Sequence, residues 1–144
     1  MTNFYGWKFL TSVDRAESIA SVPWLPTTAS NVSYACTYGW QYYEFDISEA
    51  GFRDWASSWK IEEIREPFYI TTYRVLDARA ASVYDGPRDF LIGELQDLPD
   101  ELPSYTAVIK SGLYFYSYNS KNHGGLYIAF DRNKQRAYYH YHAR

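Results

Sequence analysis

GLYIAFDRNKQRAYYHYH, residues 125–142, decides how the rest of the chain is read. Leu126, Ile128 and Phe130 recur at every second position, and the same period returns in RAYYHYH after the polar run DRNKQ. A period of two marks strands, because successive side chains point to opposite faces. The two runs therefore form an antiparallel hairpin around a polar turn. An even-numbered loop places Ala137, Tyr139 and Tyr141 with Leu126, Ile128 and Phe130 on the face expected to be buried. Tyr138, His140 and His142 fall on the other face beside Tyr127, and this reading makes that face the wet one.

Two histidines at i and i+2 on a strand point the same way, so His140 and His142 invite a metal or acid–base reading. A zinc site normally uses roughly three or four protein ligands. The one further histidine, His123, lies in the turn-forming NHGG. A small metal-dependent hydrolase built on His123, His140 and His142 is therefore the alternative reading, and the polar sheet face is the preferred one. Other chemical templates are missing: there is no GxxxxGK[ST], GxGxxG or GxSxG. The carboxylates Glu62, Glu63 and Glu66, and Asp97, Asp100 and Glu101, read as solvated charge clusters on turns. No cofactor is implied.

Composition narrows the class. At 144 residues the chain suits a single domain, 1–144, large enough to bury a core without disulfides, and Cys36 is the lone cysteine. In SYACTY it alternates with Tyr34 and Tyr38 and reads as a half-buried apolar residue. The opening residues lack the apolar core of a signal peptide, and no stretch approaches the ~20 apolar residues of a membrane span. The expected location is cytoplasmic. A net charge of −3 argues against nucleic acid as a partner, because the phosphate backbone is bound through a basic surface. The 16 tyrosines set this chain apart: tyrosine favours strands and buries a ring while its hydroxyl stays wet, so such a surplus points to aromatic sheet faces.

The remaining elements follow from local signals. Phe4, Tyr5, Trp7 and Phe9 suggest a short strand or extended arm, and Asp14 to Ala20 a helical turn. Pro23 and Pro26 forbid helix around Trp24 and Leu25. A strand over about 31–38 puts Val32, Tyr34 and Cys36 on one side. After a turn at Gly39 the next strand sets Tyr43, Phe45 and Ile47 against Tyr42, Glu44 and Asp46. A helix is expected over 49–60: Ser48 is an N-cap, Glu49 suits the first turn, Ile47 and Phe52 have the spacing of a hydrophobic staple, and Phe52, Trp55, Ala56 and Trp59 form one stripe. Gly51 weakens that helix by about 1 kcal/mol relative to alanine.

Beyond Pro67, FYITTYRV reads as a strand. Asp85, Gly86 and Pro87 make a turn, Phe90 to Leu95 fits a strand or a helix, and QDLPDELP is an acidic loop. SYTAVIKSGLYFYSY is read as a strand bent at Gly112, with Tyr114, Tyr116 and Tyr118 in a row on one face. The expected fold is α+β: an antiparallel, tyrosine-rich sheet of five to seven strands with one principal helix packed on a face. The expected function is a non-catalytic binding or interaction domain for a protein or carbohydrate ligand, using Tyr114, Tyr116, Tyr118, Tyr138, His140 and His142. A self-associating structural protein, pairing tyrosine faces or edge strands, is the third reading.

GGLYIAFDRNKQRAYYHYHAR resembles the closing segment of a group of small uncharacterised bacterial proteins of planctomycete type. Their ends combine a glycine-rich turn, an apolar strand with Asp-Arg, then Arg-Ala-Tyr-Tyr and a terminal Arg. Asp131, Arg132, Arg136, Ala137, Tyr138, Tyr139 and Arg144 match that pattern, and LPTTASNVSYACTYGW with EFDISEAGFRDWA is similar to the group's earlier segment. Gln135 stands where the group's pattern has glycine. The resemblance implies a domain of unknown function and brings no activity with it. It also suggests that Asp131 and Arg136 pair across the turn and fix the register.

Overall fold

The computed structural model describes residues 14–37, 39–74, 93–94, 104–119 and 124–142. The elements in chain order are β1 (Asp14–Ile19), β2 (Ser30–Thr37), β3 (Trp40–Asp46), α1 (Glu49–Trp55), β4 (Glu62–Glu63), β5 (Phe68–Thr71), β6 (Gly93–Glu94), β7 (Thr106–Ile109), β8 (Gly112–Asn119), β9 (Gly124–Asp131) and β10 (Arg136–His142). The fold is α+β and chiefly antiparallel. A seven-stranded sheet has the order β1-β2-β3-β10-β9-β8-β4, and a three-stranded sheet the order β6-β5-β7. No described helix is long and apolar enough to cross a membrane.

The C-terminal hairpin forms in the register that alternation dictates. Ala137 pairs with Phe130, Tyr139 with Ile128 and Tyr141 with Leu126. On the other side β10 pairs with β3 along its whole length, which makes it a central strand. Asp131 and Arg136 are indeed opposite each other, but they do not form an ion pair. The Asp131 carboxylate instead accepts from the backbone amides of Asn133 and Lys134, at 3.0 and 3.1 Å, and so shapes the turn. Arg136 turns to β3, where its guanidinium donates to Glu44 at 2.7 Å and Asp46 at 2.8 Å, and to the carbonyl of Asn31. Gln135 closes the turn with φ +52°, the left-handed conformation that glycine adopts without strain.

On the face carrying Phe130, the cross-strand row Phe45, Ala137, Phe130 and Leu113 is completely buried. Phe52 of α1 stacks on Phe130 with centroids 5.2 Å apart, and Trp55 meets Phe45 edge-on at 5.5 Å. The N-cap is as the sequence implies: the Ser48 hydroxyl accepts from the Gly51 amide at 3.1 Å, and Ile47 and Phe52 are both buried. The helix is shorter than its apolar stripe, ending at Trp55 instead of residue 60. Ala56 leaves helical geometry, and Ser57 and Ser58, whose hydroxyls compete for backbone bonds, lead into a turn that brings Trp59 over Phe115. Gly51 has a packing reason: a Cβ there would lie 3.0 Å from Ile47 Cγ1, so glycine lets the staple close.

Three further expectations change. Asp14 to Ile19 is an edge strand on β2, not a helical turn, because its backbone groups find partners from Cys36 to Val32. A bulge and Ser18 at φ +53° interrupt it, with the Ser18 amide donating to Ser33 Oγ. The segment around Gly112 is two strands in two sheets: β7 ends at Ile109 in the small sheet and β8 begins at Gly112 in the large one. Gly112 (φ +152°) permits that crossing, since a Cβ would lie 1.7 Å from the carbonyl oxygen of Phe130. Finally, the wet face is covered. Phe68, Ile70, Tyr73 and Ile109 of the small-sheet region share a core with Tyr42, Tyr127, Ala129 and Tyr138 of the large sheet. The aromatic arm at 4–9, the end of the first hairpin strand at Tyr38, the turn at 85–87, Phe90 to Ile92 with Leu95, the acidic loop and Arg144 lie outside the described residues.

Candidate functional site

Pairing sorts the side chains facing the small sheet into rows. One row runs Glu44, Tyr138, Ala129, Tyr114; the next Tyr42, His140, Tyr127, Tyr116; the third Trp40, His142, Gly125 and the backbone of Tyr118. Tyr114, Tyr116, Tyr138, His140 and His142 therefore do share a face, because alternation is a local property. Their environments differ from the expected ones. His140 is 1% exposed, and His142 and Tyr138 are buried too. The reason lies in long-range structure: hydrophobic side chains of β5 and β7 cover this face, and a period of two reports only which side chains travel together.

His140 is the extreme case. Its ring lies 4.3 Å from that of Tyr127 and 4.7 Å from that of Tyr42, and its Nδ1 has no hydrogen-bond partner among the described residues. Burial holds its imidazole well below the ordinary histidine pKa, so the neutral form is the folded form. His142 stacks on Trp40 at 3.6 Å. His123 and the side chain of Tyr118 lie outside the described residues. Among the described residues no group of three or more His, Cys, Asp or Glu side chains gathers in a way that would hold a metal ion.

Tyr114 is half-buried against Phe68 and donates its hydroxyl to Glu62 at 3.1 Å. Both belong to the wall of a groove lined by Glu62, Glu63, Arg65 and Glu66. Burial and the Glu62 carboxylate raise the pKa of that phenol. Tyr116 is exposed.

The Phe130 face shows a gradient that sequence reading missed. Beyond the sealed row lies Tyr34, Tyr43, Tyr139, Ile128 and Phe115, and beyond that Cys36, Gln41, Tyr141, Leu126 and Ser117. Trp55 and Trp59 reach the middle row through Tyr139 and Phe115. In the outer row Gln41, Tyr141 and Ser117 are exposed, so Tyr141, expected to be buried with Ile128 and Phe130, is at the surface. Trp24 stands over this part of the sheet at 44% exposure, its ring 4.9 Å from both Tyr43 and Tyr139 and edge-on to each. Tyr34 stacks on Tyr43 at 5.1 Å. Backbone bonds from Leu25 to Val22 and from Ala29 to Pro26 hold the loop that presents Trp24. Burial, followed by the hydrogen bond with Cys36, raises the Tyr43 pKa strongly, and burial raises that of Cys36, so both remain neutral at physiological pH. Pro23 and Pro26 framing Trp24 were the available signal.

Comparison of the chain with protein-family models, with curated proteins and with solved structures finds no match in any of the three.

Proposed function

We propose that this chain is a non-catalytic binding domain whose tyrosine-rich sheet offers a stacking platform on the outer half of the Phe130 face. The observation that carries the proposal is Trp24. It is a large ring left substantially exposed, yet fixed edge-on by two tyrosines and a proline-framed loop. A rigid exposed aromatic loses little conformational freedom when it binds, which is why tryptophan and tyrosine anchor interfaces. Tyr141 at 36% exposure, with Tyr34, Tyr43 and Tyr139, extends the platform, and the row from Cys36 to Ser117 carries no charged residue, Asp14 of β1 flanking it beyond Cys36. An uncharged ligand that presents rings, either a carbohydrate or an aromatic segment of a protein, matches such a surface.

Of the six residues that the sequence pattern points to, Tyr114, Tyr116, Tyr118, Tyr138, His140 and His142, Tyr116 is the exposed side chain among those described. The test is a titration with neutral oligosaccharides and with aromatic-rich peptides, followed by amide and indole NMR shifts. The proposal expects one class to perturb Trp24, Tyr139 and Tyr141 together, with the response lost in Trp24→Ala/Tyr141→Ala. Shifts confined to other surfaces, or a response that survives the double substitution, would contradict it.

A further inference from the structure

We propose that protonation of His140 is an acid trigger that lifts the small sheet off the large one and uncovers the aromatic face formed by Tyr42, Tyr127 and Tyr138. The inference rests on where this histidine sits. Its ring is enclosed between Tyr42 and Tyr127 in the interface between the two sheets, and Nδ1 has no partner among the described residues. The flanking side chains of its own strand on that face are Tyr138 and His142, and the small-sheet region contributes Phe68, Ile70, Tyr73 and Ile109 to the same core. None of these is a carboxylate that would receive an imidazolium. Glu44, opposite Tyr138 on the neighbouring strand, is already engaged by Arg136 at 2.7 Å. An unpaired charge buried there is strongly unfavourable, so a proton is taken up only if the interface opens.

The geometry also selects what moves. β10 is paired at every residue from Arg136 to His142 on both sides, so His140 cannot swing out without breaking the central sheet. The cover is lighter. Its described strands are four, two and four residues long, and a described polar tie to the large sheet is the bond from the Tyr127 hydroxyl to the Thr71 carbonyl at 3.3 Å. Three short strands depend on packing for their stability, so the cover is the part that yields.

The sign follows from linkage. The closed state holds His140 neutral, whereas the opened state titrates near the ordinary value of about 6.5, so closure is fully favoured above that pH and weakens as pH falls below it. Between pH 7.5 and 5.0, a range that leaves most carboxylates ionised, the opening equilibrium should rise up to about 30-fold.

Hydrogen exchange on the full chain, corrected for intrinsic rates, reads this directly. The expected result is faster exchange at low pH in Phe68–Thr71 and Thr106–Ile109, with β3 and β10 still protected. The opening constant should rise tenfold per pH unit below about pH 6, the slope for one proton. His140→Phe should flatten the response and His142→Phe should retain it. If His140→Phe does not fold, the slope in the unaltered chain decides alone. A flat profile, a slope of two or more protons, a response that persists in His140→Phe, or simultaneous opening of β3 and β10 would overturn the proposal.

Discussion

Replacing Gly112 with alanine tests the connection between the two sheets at a single atom. The added Cβ would sit 1.7 Å from the carbonyl oxygen of Phe130, 2.9 Å from its carbonyl carbon and 3.2 Å from the Arg132 amide nitrogen. Ordinary contacts of this kind exceed 3 Å, so β8 and β9 must part by more than 1 Å at the Gly112–Asp131 pair. All of the opposing atoms are backbone, two of them in the interior strand β9 and one in the turn that follows it, and cannot rotate away. Parting the strands there endangers the bond from Arg132 N to Ser111 O at 2.9 Å, and the matching shift of β8 towards β4 distorts the bond from Ile64 N to Gly112 O at 2.8 Å. Each is worth about 1 kcal/mol net, the positive φ adds about 1–2 kcal/mol for a residue with a Cβ, and displaced packing around Leu113 and Phe130 adds more. The sum is about 4 kcal/mol or greater, a large part of the ~5–15 kcal/mol that holds a domain of this size together. Urea unfolding followed by tryptophan fluorescence gives the number. A loss below about 1 kcal/mol would refute the reasoning, because no arrangement of rigid backbone absorbs that contact so cheaply. Gly51→Ala is the control: its added Cβ would meet the Ile47 side chain at 3.0 Å, which has freedom to shift, and alanine's better helix propensity offsets the crowding. That substitution should stay within about 1 kcal/mol of neutral.

Three other substitutions probe separate parts of the account. Arg136→Ala leaves the Glu44 carboxylate, 14% exposed, without its cation, and should destabilise by about 2–3 kcal/mol in urea titrations; Arg136→Lys should recover only part, because the forked contacts to Glu44 and Asp46 need a guanidinium. Gln135→Gly relieves a left-handed residue at φ +52° and should raise stability by up to about 1 kcal/mol, with the lost Gln135 bond to the Arg132 carbonyl reducing the gain; a drop in melting temperature would mean that bond matters more than the strain. Ser48→Ala removes the acceptor for the Gly51 amide and should cost about 1 kcal/mol, visible as a lower urea midpoint with an unchanged slope.

Much of the fold was legible because its signals are local. The hairpin register, the face shared by Tyr43, Phe45 and Ile47, the Ser48 cap and the Ile47–Phe52 staple all follow from spacing or from one residue's chemistry. What escaped depends on distant parts of the chain. Nothing in RAYYHYH announces that Ile70 and Ile109 will cover its second face, so His140 reads as wet when taken with its neighbours alone. The same limit hid the exposed aromatic side chains on the Phe130 face. Tyr139 and Tyr141 have identical patterning, and only the reach of Trp55 and Trp24 over the middle row separates a half-buried tyrosine from an exposed one. Gly112 illustrates a subtler failure. The sequence marks a bend, but whether a bend stays within a sheet or passes between two depends on which strands the flanking residues join.

A soluble paramagnetic agent, added while aromatic side-chain NMR signals are recorded at pH 7.5, examines both faces of the large sheet at once. Trp24 and Tyr141 should broaden strongly, whereas His140 and Tyr127 should be spared. Equal attenuation of His140 and Tyr141, or protection of Trp24, would mean that the open aromatic surface lies elsewhere than on the outer half of the Phe130 face.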